Sequence, residues 1–246
     1  MQFDKPLSQG IFQKRYKRFF TEIEFEGETI TAHCPNTGSM MGLKDPGLLC
    51  RFSTTDDPKR KLKHTLQMVK TKSSWVGVNT GLPNKLVAEL FEKNPLKHWK
   101  KFDSFQGEVK INDKSRIDLV LWDSKKHPEI KKWNHKNLTA PLHLIEVKNV
   151  TLAEDGTAMF PDAVTERGLK HLEELIHLVE NGYTCEMMFV VQRTDCDVFK
   201  AADHIDQKYA AKLKDAKKAG VKLTALKCSL GSKEVKLLDE PLKIKV

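Results

Sequence analysis

The chain contains no apolar run long enough to cross a membrane as a helix. Its longest apolar stretches, such as residues 187–191, have the length of a β-strand. The first six residues also lack the apolar core of a secretory signal peptide. From these absences we expect no transmembrane helix and no secretion, and therefore a cytoplasmic protein with no membrane partner.

Cysteine is scarce, and no two cysteines form a C-x-x-C pair. The five cysteines are odd in number and widely spaced along the 246 residues. A disulfide framework usually has an even number of cysteines, and a zinc knuckle requires closely spaced ones. The sequence therefore predicts five reduced thiols, and nothing in it indicates a small-molecule cofactor, an internal repeat or a low-complexity segment.

Positive charge is in excess: 42 Lys and Arg stand against 33 Asp and Glu, a formal net charge of +9. Residues 1–80 carry 13 of the basic and 8 of the acidic side chains, so this third of the chain is the more basic per residue. Such a surface suits a polyanion such as DNA. Charge alone is equally compatible with a solvated, lysine-rich surface.

Residues 11–80 have the pattern of a small all-β domain. Alternating apolar and polar residues predict strands on either side of a turn at Glu26 and Gly27, and three further strands before residue 80. Five short strands with little helix predict an OB-like closed barrel. We place this DNA-binding domain at residues 1–81 and a second domain at residues 82–246.

Basic and aromatic side chains are interleaved in the predicted barrel. OB-type surfaces hold single strands by pairing phosphates with cations and by stacking bases on aromatic rings. Phe19 and Phe20 are expected in the core of the barrel. The expected phosphate contacts are Arg15, Lys17, Arg18, Lys59, Arg60 and Lys61.

Two predicted strands of the second domain carry residues suited to phosphodiester chemistry. Asp118 lies in the run 115–121, and Glu146 and Lys148 lie two residues apart in the run 144–149. Side chains two apart on a strand share one face, while the intervening apolar residues fill the other. Two carboxylates can hold a hard cation such as Mg²⁺, and the lysine can steady the attacking water or the phosphate charge. Chance surface charges have the same spacing, but burial among apolar neighbours favours the functional interpretation.

The second domain has the predicted order helix, three strands, helix, strand, with a helix and strands appended. The first helix covers residues 85–93, and a longer one begins at Asp162 and ends before Asn181 and Gly182. An acid on the second strand and E-x-K on the third resemble the restriction-endonuclease-like, PD-(D/E)xK, nucleases. We therefore expect a mixed α/β chain, an OB-like β-barrel followed by a restriction-endonuclease-like αβββαβ domain.

Nine segments, in order over nearly the whole chain, also carry the resemblance to one family: RYKRF (15–19), TAHCPNTGSM (31–40), PKRKL (58–62), WVGVNT (75–80), SRID (115–118), EVKNVTL (146–152), FPDAVTERG (160–168), KHL (170–172) and VVQR (190–193). In them the chain resembles the sugar fermentation stimulation (SfsA) proteins. The resemblance implies non-specific DNA binding and a regulatory role in sugar (maltose) metabolism. The Lys- and His-rich segment 123–142 is longer than the family pattern.

The nuclease resemblance implies a role for each candidate. Asp118 and Glu146 would coordinate Mg²⁺ or Mn²⁺, with the backbone carbonyl of Val147 as a further ligand. Lys148 would orient or help deprotonate the attacking water, or neutralise charge on the phosphate.

A further acid is expected from Glu89 on the first helix, the position that related nucleases favour, or from Glu108 on the first strand. Gln192 is expected to hold water in the site. The alternatives are that Glu89 is an ordinary exposed acid on the helix and that Gln192 is an amide whose hydrogen bonds are satisfied within the protein. Further DNA contacts are expected from Arg116, Arg167, Lys170 and His171, unless these side chains form an ordinary solvated surface.

Two functions follow from these predictions. One is a divalent-metal nuclease to which the barrel delivers a strand. The other is a non-catalytic, DNA-binding regulator that keeps a nuclease scaffold. DNA is the expected partner in both, while the oligomeric state, the preferred form of DNA and any sequence preference stay open.

Overall fold

The structure is a computed structural model that describes residues 1–113, 115–128, 131–139 and 142–246. Parts of the long basic segment predicted at 123–142 therefore lie outside the described residues. Among the described residues, no helix combines the length and the apolar character that crossing a membrane would require.

The N-terminal part of the chain is a closed β-barrel, as predicted. Its strands are β1 Ser8–Tyr16, β2 Phe20–Phe25, β3 Glu28–His33, β4 Leu49–Thr54, β5 His64–Lys70 and the short β6 Trp75–Gly77. They pair in the order β3-β2-β1-β4-β5-β6, and a pairing of β3 with β5 closes the barrel. Alternate side chains, including those of Phe12, Ile23 and Phe52, fill the interior. The β2–β3 turn has positive φ at Glu26 and Gly27, which is typical of a tight hairpin.

The second domain contains the predicted helices and central strands in the predicted order, together with four short strands that were not predicted, two of them within residues 151–160, where a loop was expected. In chain order they are α1 Pro83–Lys93, β7 Ser104–Lys110, β8 Arg116–Trp122, β9 His143–Val150, β10 Leu152–Glu154, β11 Thr157–Phe160, α2 Glu166–Glu180, β12 Thr184–Val191, β13 Val198–Ala201, α3 Gln207–Ala219, β14 Lys222–Leu230, β15 Val235–Pro241 and β16 Lys243–Lys245. The central sheet has the order β15-β14-β12-β9-β8-β7, and a smaller sheet joins β10, β11, β13 and β16.

Two hydrophobic clusters sandwich the central sheet. Helices α2 and α3 pack on one face through Leu172, Leu175 and Leu213. Helix α1 covers the other face through Leu86 and Leu90. The strands at the centre of this sheet are therefore buried on both faces, and they run as nearly continuous apolar sequences.

Helix α2 begins at Glu166 rather than at Asp162, so the predicted start was wrong. The side chain of Thr165 accepts a hydrogen bond from the Gly168 amide (3.0 Å) and caps the helix. Asp162 instead accepts a hydrogen bond from Ser39 Oγ (2.6 Å) in the barrel. The predicted first turn of the helix is thus used to hold the two domains together.

Strand β6 joins the barrel to the central sheet. The amide of Gly77 donates to the carbonyl of Gln192 (2.8 Å), and Val76 forms a β-bridge with Arg193. A Cβ on Gly77 would lie 2.3 Å from Oε1 of Gln192, so only glycine allows this approach without movement. The barrel is therefore held to the second domain by backbone hydrogen bonds.

All five cysteines are buried free thiols, as predicted. Cys34 and Cys50 lie in the core of the barrel, while Cys185, Cys196 and Cys228 lie in the second domain. Burial raises the pKa of the Cys50, Cys185 and Cys228 thiols to about 12 and that of Cys196 to about 11.

Candidate active site

Asp118 lies where the pairing between two neighbouring strands ends. The antiparallel ladder of β8 and β9 includes the pair Leu119 and Ile145. The Val147 amide lies beyond that pair and donates to Oδ2 of Asp118 (2.7 Å). Asn84, at the start of α1, donates from Nδ2 to Oδ1 of Asp118 (2.8 Å). Two donors thus hold the carboxylate between the sheet and the helix.

Glu146 and Lys148 share one face of β9, as the alternation of strand side chains predicts. Their side chains are 5% and 11% exposed, and Nζ of Lys148 donates to Oε1 of Glu146 (2.6 Å). His171 on α2 contacts the same oxygen through Nδ1, and this nitrogen lies 2.9 Å from Nζ of Lys148. Within the part of the chain that the structure describes, no donor reaches Oε2 of Glu146. One oxygen of this buried carboxylate is therefore left for another ligand.

The two carboxylates differ in their pKa values. Burial, and then the negative charge of Glu146, raise the pKa of Asp118 to about 6, although the hydrogen bonds from Val147 and Asn84 and the charge of Lys148 oppose the rise. Burial alone would raise the pKa of Glu146 as well. A hydrogen bond from His171, and the charge and hydrogen bond of Lys148, lower it below the ordinary value. A negative charge on Asp118 is thus costly at neutral pH unless a cation compensates it.

The raised pKa of Asp118 predicts that Asp118→Asn stabilises the metal-free protein at neutral pH. A carboxyl whose pKa is higher in the folded state favours folding fully below its unfolded pKa, near 3.8, and loses this contribution as the pH rises through about 6. We expect the variant to gain stability over the wild type between pH 4 and pH 7, by up to about 3 kcal/mol at 1.4 kcal/mol per pKa unit. Urea unfolding in a chelator at several pH values measures the difference. The exposed Asp45→Asn variant is the control, and a difference independent of pH would contradict the assignment.

The structure brings Glu108, rather than Glu89, to the Asp118 group. Oε1 of Glu108 accepts a hydrogen bond from the same Asn84 amide (3.3 Å). Glu108 lies on β7, opposite Asp118 on β8, and has a φ of +54°. Glu89 instead forms ion pairs with Lys93 and the amino terminus. Asn84 and Glu89 are five residues apart on α1, about 1.4 turns, so they point to different sides of the helix.

Gln192 makes no hydrogen bond to the carboxylates among the described residues. Its Nε2 donates to Oδ1 of Asn149 (2.6 Å) and to the carbonyl of Asn79 (3.2 Å), and its side chain is buried beside Gly77. Oε1 of Gln192 is buried without a hydrogen-bond partner in the described part of the chain. Gln192 therefore lies at the junction of the domains, and its partner Asn149 is one residue along β9 from Lys148.

The predicted DNA contacts of the second domain divide into two groups. Arg116, Arg167 and Lys170 are exposed. His171 instead lies at the carboxylates, and its Nε2 accepts a hydrogen bond from Nε of Arg167 (3.3 Å). A line of contacting side chains thus extends from Glu146 on β9 through His171 to Arg167 at the surface.

The β1–β2 turn forms a basic surface on the barrel. Lys17 and Arg18 have positive φ and are exposed, whereas Arg15 donates to the carbonyls of Asn36 (2.7 Å) and Gly38 (3.0 Å) and so holds a neighbouring loop. These residues line a cavity of about 540 Å³ that also includes Lys44 and reaches Ala163, just before α2. The basic surface of the barrel therefore leads to the helix that carries His171.

The prediction that Phe19 belongs to the core was wrong. Its side chain is 49% exposed, because the two positive-φ residues of the turn place it before the first residue of β2. Phe20 is only partly buried and stacks on Tyr16, with ring centroids 5.3 Å apart. The turn thus presents exposed aromatic surface beside two cations.

Lys59, Arg60 and Lys61 are exposed in the loop between β4 and β5. Arg60 donates to Thr65 Oγ1 (3.1 Å), and its charge contributes to lowering the pKa of His33, although burial is the larger cause. His33 pairs with Phe20 across β2 and β3. The two predicted basic groups therefore lie toward the same end of the barrel.

Some residues at the site were missed in the sequence. Asn84 has the signature of an ordinary helix start, so its bonds to two acids were not expected. A cavity of about 310 Å³ also lies between the domains, beside Asn149. Polar side chains from both domains line it, including those of Asn36, Thr37, Thr80 and Asp162. Asn36 and Thr37 belong to a turn whose side chains could present donors to a phosphate, whereas the only signal for Thr80 as a site residue was its place in the segment WVGVNT.

Comparison with known proteins covers the whole chain. The family model of the SfsA N-terminal OB domain matches residues 14–78, and that of the sugar fermentation stimulation protein RE domain matches residues 81–234. Sugar fermentation stimulation protein homologs from Bdellovibrio bacteriovorus and Pelagibacter ubique are each 44% identical; the matches cover 100% and 99% of this chain, and the same shares of the relatives. The structure of Pyrococcus furiosus SfsA in complex with Ca²⁺ has a TM-score of 0.85 at 25% identity and covers 100% of this chain and 98% of that chain.

Proposed function

Because the chain belongs to the sugar fermentation stimulation protein family, we propose that it binds DNA and cleaves phosphodiester bonds with a divalent metal ion. The observation that carries the proposal is a pair of carboxylates on adjacent strands, the half-buried Asp118 and the buried Glu146, with the half-buried Lys148 beside them. Burial, and then the negative charge of Glu146, raise the pKa of Asp118, and a bound cation would oppose that rise.

The donor atoms at this site fit a hard cation. Asp118 and Glu146 offer carboxylate oxygens, one of them free of donors within the described residues, and the backbone carbonyl of Val147 is a further oxygen nearby in sequence. Oxygen donors of this kind suit Mg²⁺ or Mn²⁺. The P. furiosus SfsA structure was determined in complex with Ca²⁺, another cation with this preference. Such an ion would polarise the phosphate and lower the pKa of a bound water.

The neighbouring side chains can position the phosphate. Lys148 holds a positive charge within the carboxylate group, where it can stabilise negative charge that develops on the phosphate during attack. His171 is in contact with Lys148, and Arg167 donates to His171 at the surface. These three residues form a continuous path of nitrogen-bearing side chains from the carboxylates to the exterior.

The barrel offers a surface for the DNA strand. Lys17 and Arg18 can pair with phosphates, and the exposed ring of Phe19 can stack on a base. Their cavity borders Ala163, four residues before Arg167. A single strand lying along this surface would continue from the barrel to the carboxylates.

We predict that Lys59→Gln/Arg60→Gln/Lys61→Gln weakens DNA binding and flattens its salt dependence. Each lost phosphate contact reduces the slope of log K against log salt by about 0.7 for a single strand and about 0.9 for a duplex. Fluorescence anisotropy with labelled oligonucleotides at several salt concentrations measures the slope. Lys208→Gln/Lys214→Gln/Lys218→Gln on α3 removes the same charge from exposed positions of the other domain. Equal slopes in the wild type and the barrel variant would show that this loop is not part of the DNA interface.

The function itself is tested by a cleavage assay on single-stranded, duplex and flapped DNA with Mg²⁺ or Mn²⁺. We expect cleavage of at least one of these forms with metal and none with a chelator. DNA binding without cleavage on any form would instead support the regulatory function on a nuclease scaffold. The absence of both binding and cleavage would contradict the proposal as a whole.

A further inference from the structure

A second group of ligating side chains lies on the opposite face of the central sheet. His98 belongs to the short 3-10 turn Lys97–Trp99 that follows α1, His143 is the first residue of β9, and Glu186 lies on β12. Glu186 packs with the cluster under α1, whereas Lys148 faces α2 on the other side. The group is therefore separate from the carboxylates of the proposed nuclease site.

The three side chains converge on one oxygen atom. Nε2 of His98 lies 2.9 Å and Nε2 of His143 lies 2.8 Å from Oε2 of Glu186. All three ligating atoms lie within 4.8 Å of one another. Two imidazole nitrogens and a carboxylate oxygen at this spacing can supply three ligands to one metal ion.

The hydrogen bonds of His143 orient its ring for ligation. Thr184 Oγ1 donates its only hydrogen to the carbonyl of Leu142 (3.0 Å), so it accepts from Nδ1 of His143 (2.9 Å). Nδ1 therefore carries a hydrogen, and the Nε2 of a neutral ring presents its lone pair to the carboxylate. A proton on Nε2 satisfies this contact in the metal-free protein, and a bound cation can take the place of that proton. Metal-binding histidines commonly donate from their other nitrogen in this way.

Further bonds fix Glu186 itself. Trp99 Nε1 donates to Oε2 (2.9 Å), and Thr224 Oγ1 donates to Oε1 (2.5 Å). Glu186 and His143 are buried, but the side chain of His98 is 32% exposed. His98 and Thr224 line a surface cavity of about 610 Å³. An ion can therefore enter from one side and keep a position open to water.

We propose that His98, His143 and Glu186 bind a first-row transition-metal dication such as Zn²⁺. Imidazole ligands favour this class over Mg²⁺ and Ca²⁺, which prefer oxygen. The ligating atoms now lie at hydrogen-bond distances, so binding requires them to separate by a few tenths of an ångström. His98 can provide that movement because it lies on a partly exposed turn. The ion would link the connection after α1 to two central strands.

The test uses the full chain, stripped of metal, with Co²⁺ as a spectroscopic substitute for Zn²⁺. To exclude the nuclease site, the starting protein is the Asp118→Asn/Glu146→Gln variant. We expect one equivalent of Co²⁺ to produce visible d–d absorption without a thiolate charge-transfer band, and Zn²⁺ to displace it. Adding His98→Ala to this variant should weaken Co²⁺ binding by at least about a hundredfold. Loss of a residue that only supports a metal ligand already lowers affinity by up to about this factor.

The control is His204→Ala, which removes an exposed histidine elsewhere in the second domain. Circular dichroism shows whether each variant is folded, and His98→Asn replaces His98→Ala if the latter is not. Zn²⁺ should also raise the melting temperature of the starting variant and leave that of the His98 variant unchanged. Absence of the Co²⁺ spectrum, a thiolate band, or equal affinity after loss of His98 would overturn the proposal.

Discussion

Replacing Asp118 with asparagine and Glu146 with glutamine is expected to lower metal-dependent DNA cleavage by at least about a hundredfold, the usual cost of removing a principal electrostatic group from an active site. Both amides keep the size of the acids but remove the negative charges that would hold the cation. DNA affinity should stay at the wild-type level, because the basic surface of the barrel is unchanged. Gel-based cleavage rates and anisotropy on the same oligonucleotide measure the two properties.

The acids outside this pair provide matched controls. Glu89→Gln should retain wild-type cleavage, because Glu89 pairs with Lys93 and the amino terminus. Glu108→Gln should lower cleavage, because Glu108 shares the Asn84 amide with Asp118. The reverse result would show that the helix supplies the third acid. Full cleavage by the double variant would show that Asp118 and Glu146 are not needed for the cleavage reaction.

Replacing Glu186 with alanine is expected to destabilise the metal-free protein by about 3–5 kcal/mol, the usual cost of removing one partner of a buried charged group. The substitution leaves Trp99 Nε1 and Thr224 Oγ1 without their acceptor and opens a cavity beside His143. Hydrogen bonds to the carboxylate hold the pKa of Glu186 well below its ordinary value, although burial alone would raise it. The acid is therefore ionised and bonded in the folded state at neutral pH.

Urea unfolding of the metal-stripped protein at neutral pH measures this loss. Glu173→Ala on the exposed face of α2 is the control, and it should change the free energy of unfolding by less than about 0.5 kcal/mol. A loss below about 1 kcal/mol for Glu186→Ala would mean that the network contributes little to stability.

The features that a short segment determines were predictable from the sequence. The alternation of Glu146, Val147 and Lys148 is a property of any strand, and in the structure the two charged side chains are hydrogen-bonded on one face. The barrel and the αβββαβ order also followed, because each strand and helix has its own periodic pattern. Strong local patterns thus predicted the fold and the first members of the site.

Features that depend on contacts between distant segments were not predictable. His98 and Glu186 are 88 residues apart, and nothing in either segment indicates the other. Phe19 is of a residue type that is common in strands, but the left-handed backbone at Lys17 and Arg18 turns its side chain outward. Glu108 reaches Asn84 from a positive-φ position within a strand. Backbone conformation and tertiary packing decided each of these positions.

The reactivity of the buried cysteines can report when the core around each of them opens. A thiol reacts as the thiolate, so thiols with pKa values near 12 inside a packed core react only when that core opens. Cys50 reports on the barrel, and Cys185 and Cys228 report on the second domain. Mass spectrometry after pulsed alkylation therefore resolves, without any engineered label, whether the two domains unfold together or one before the other.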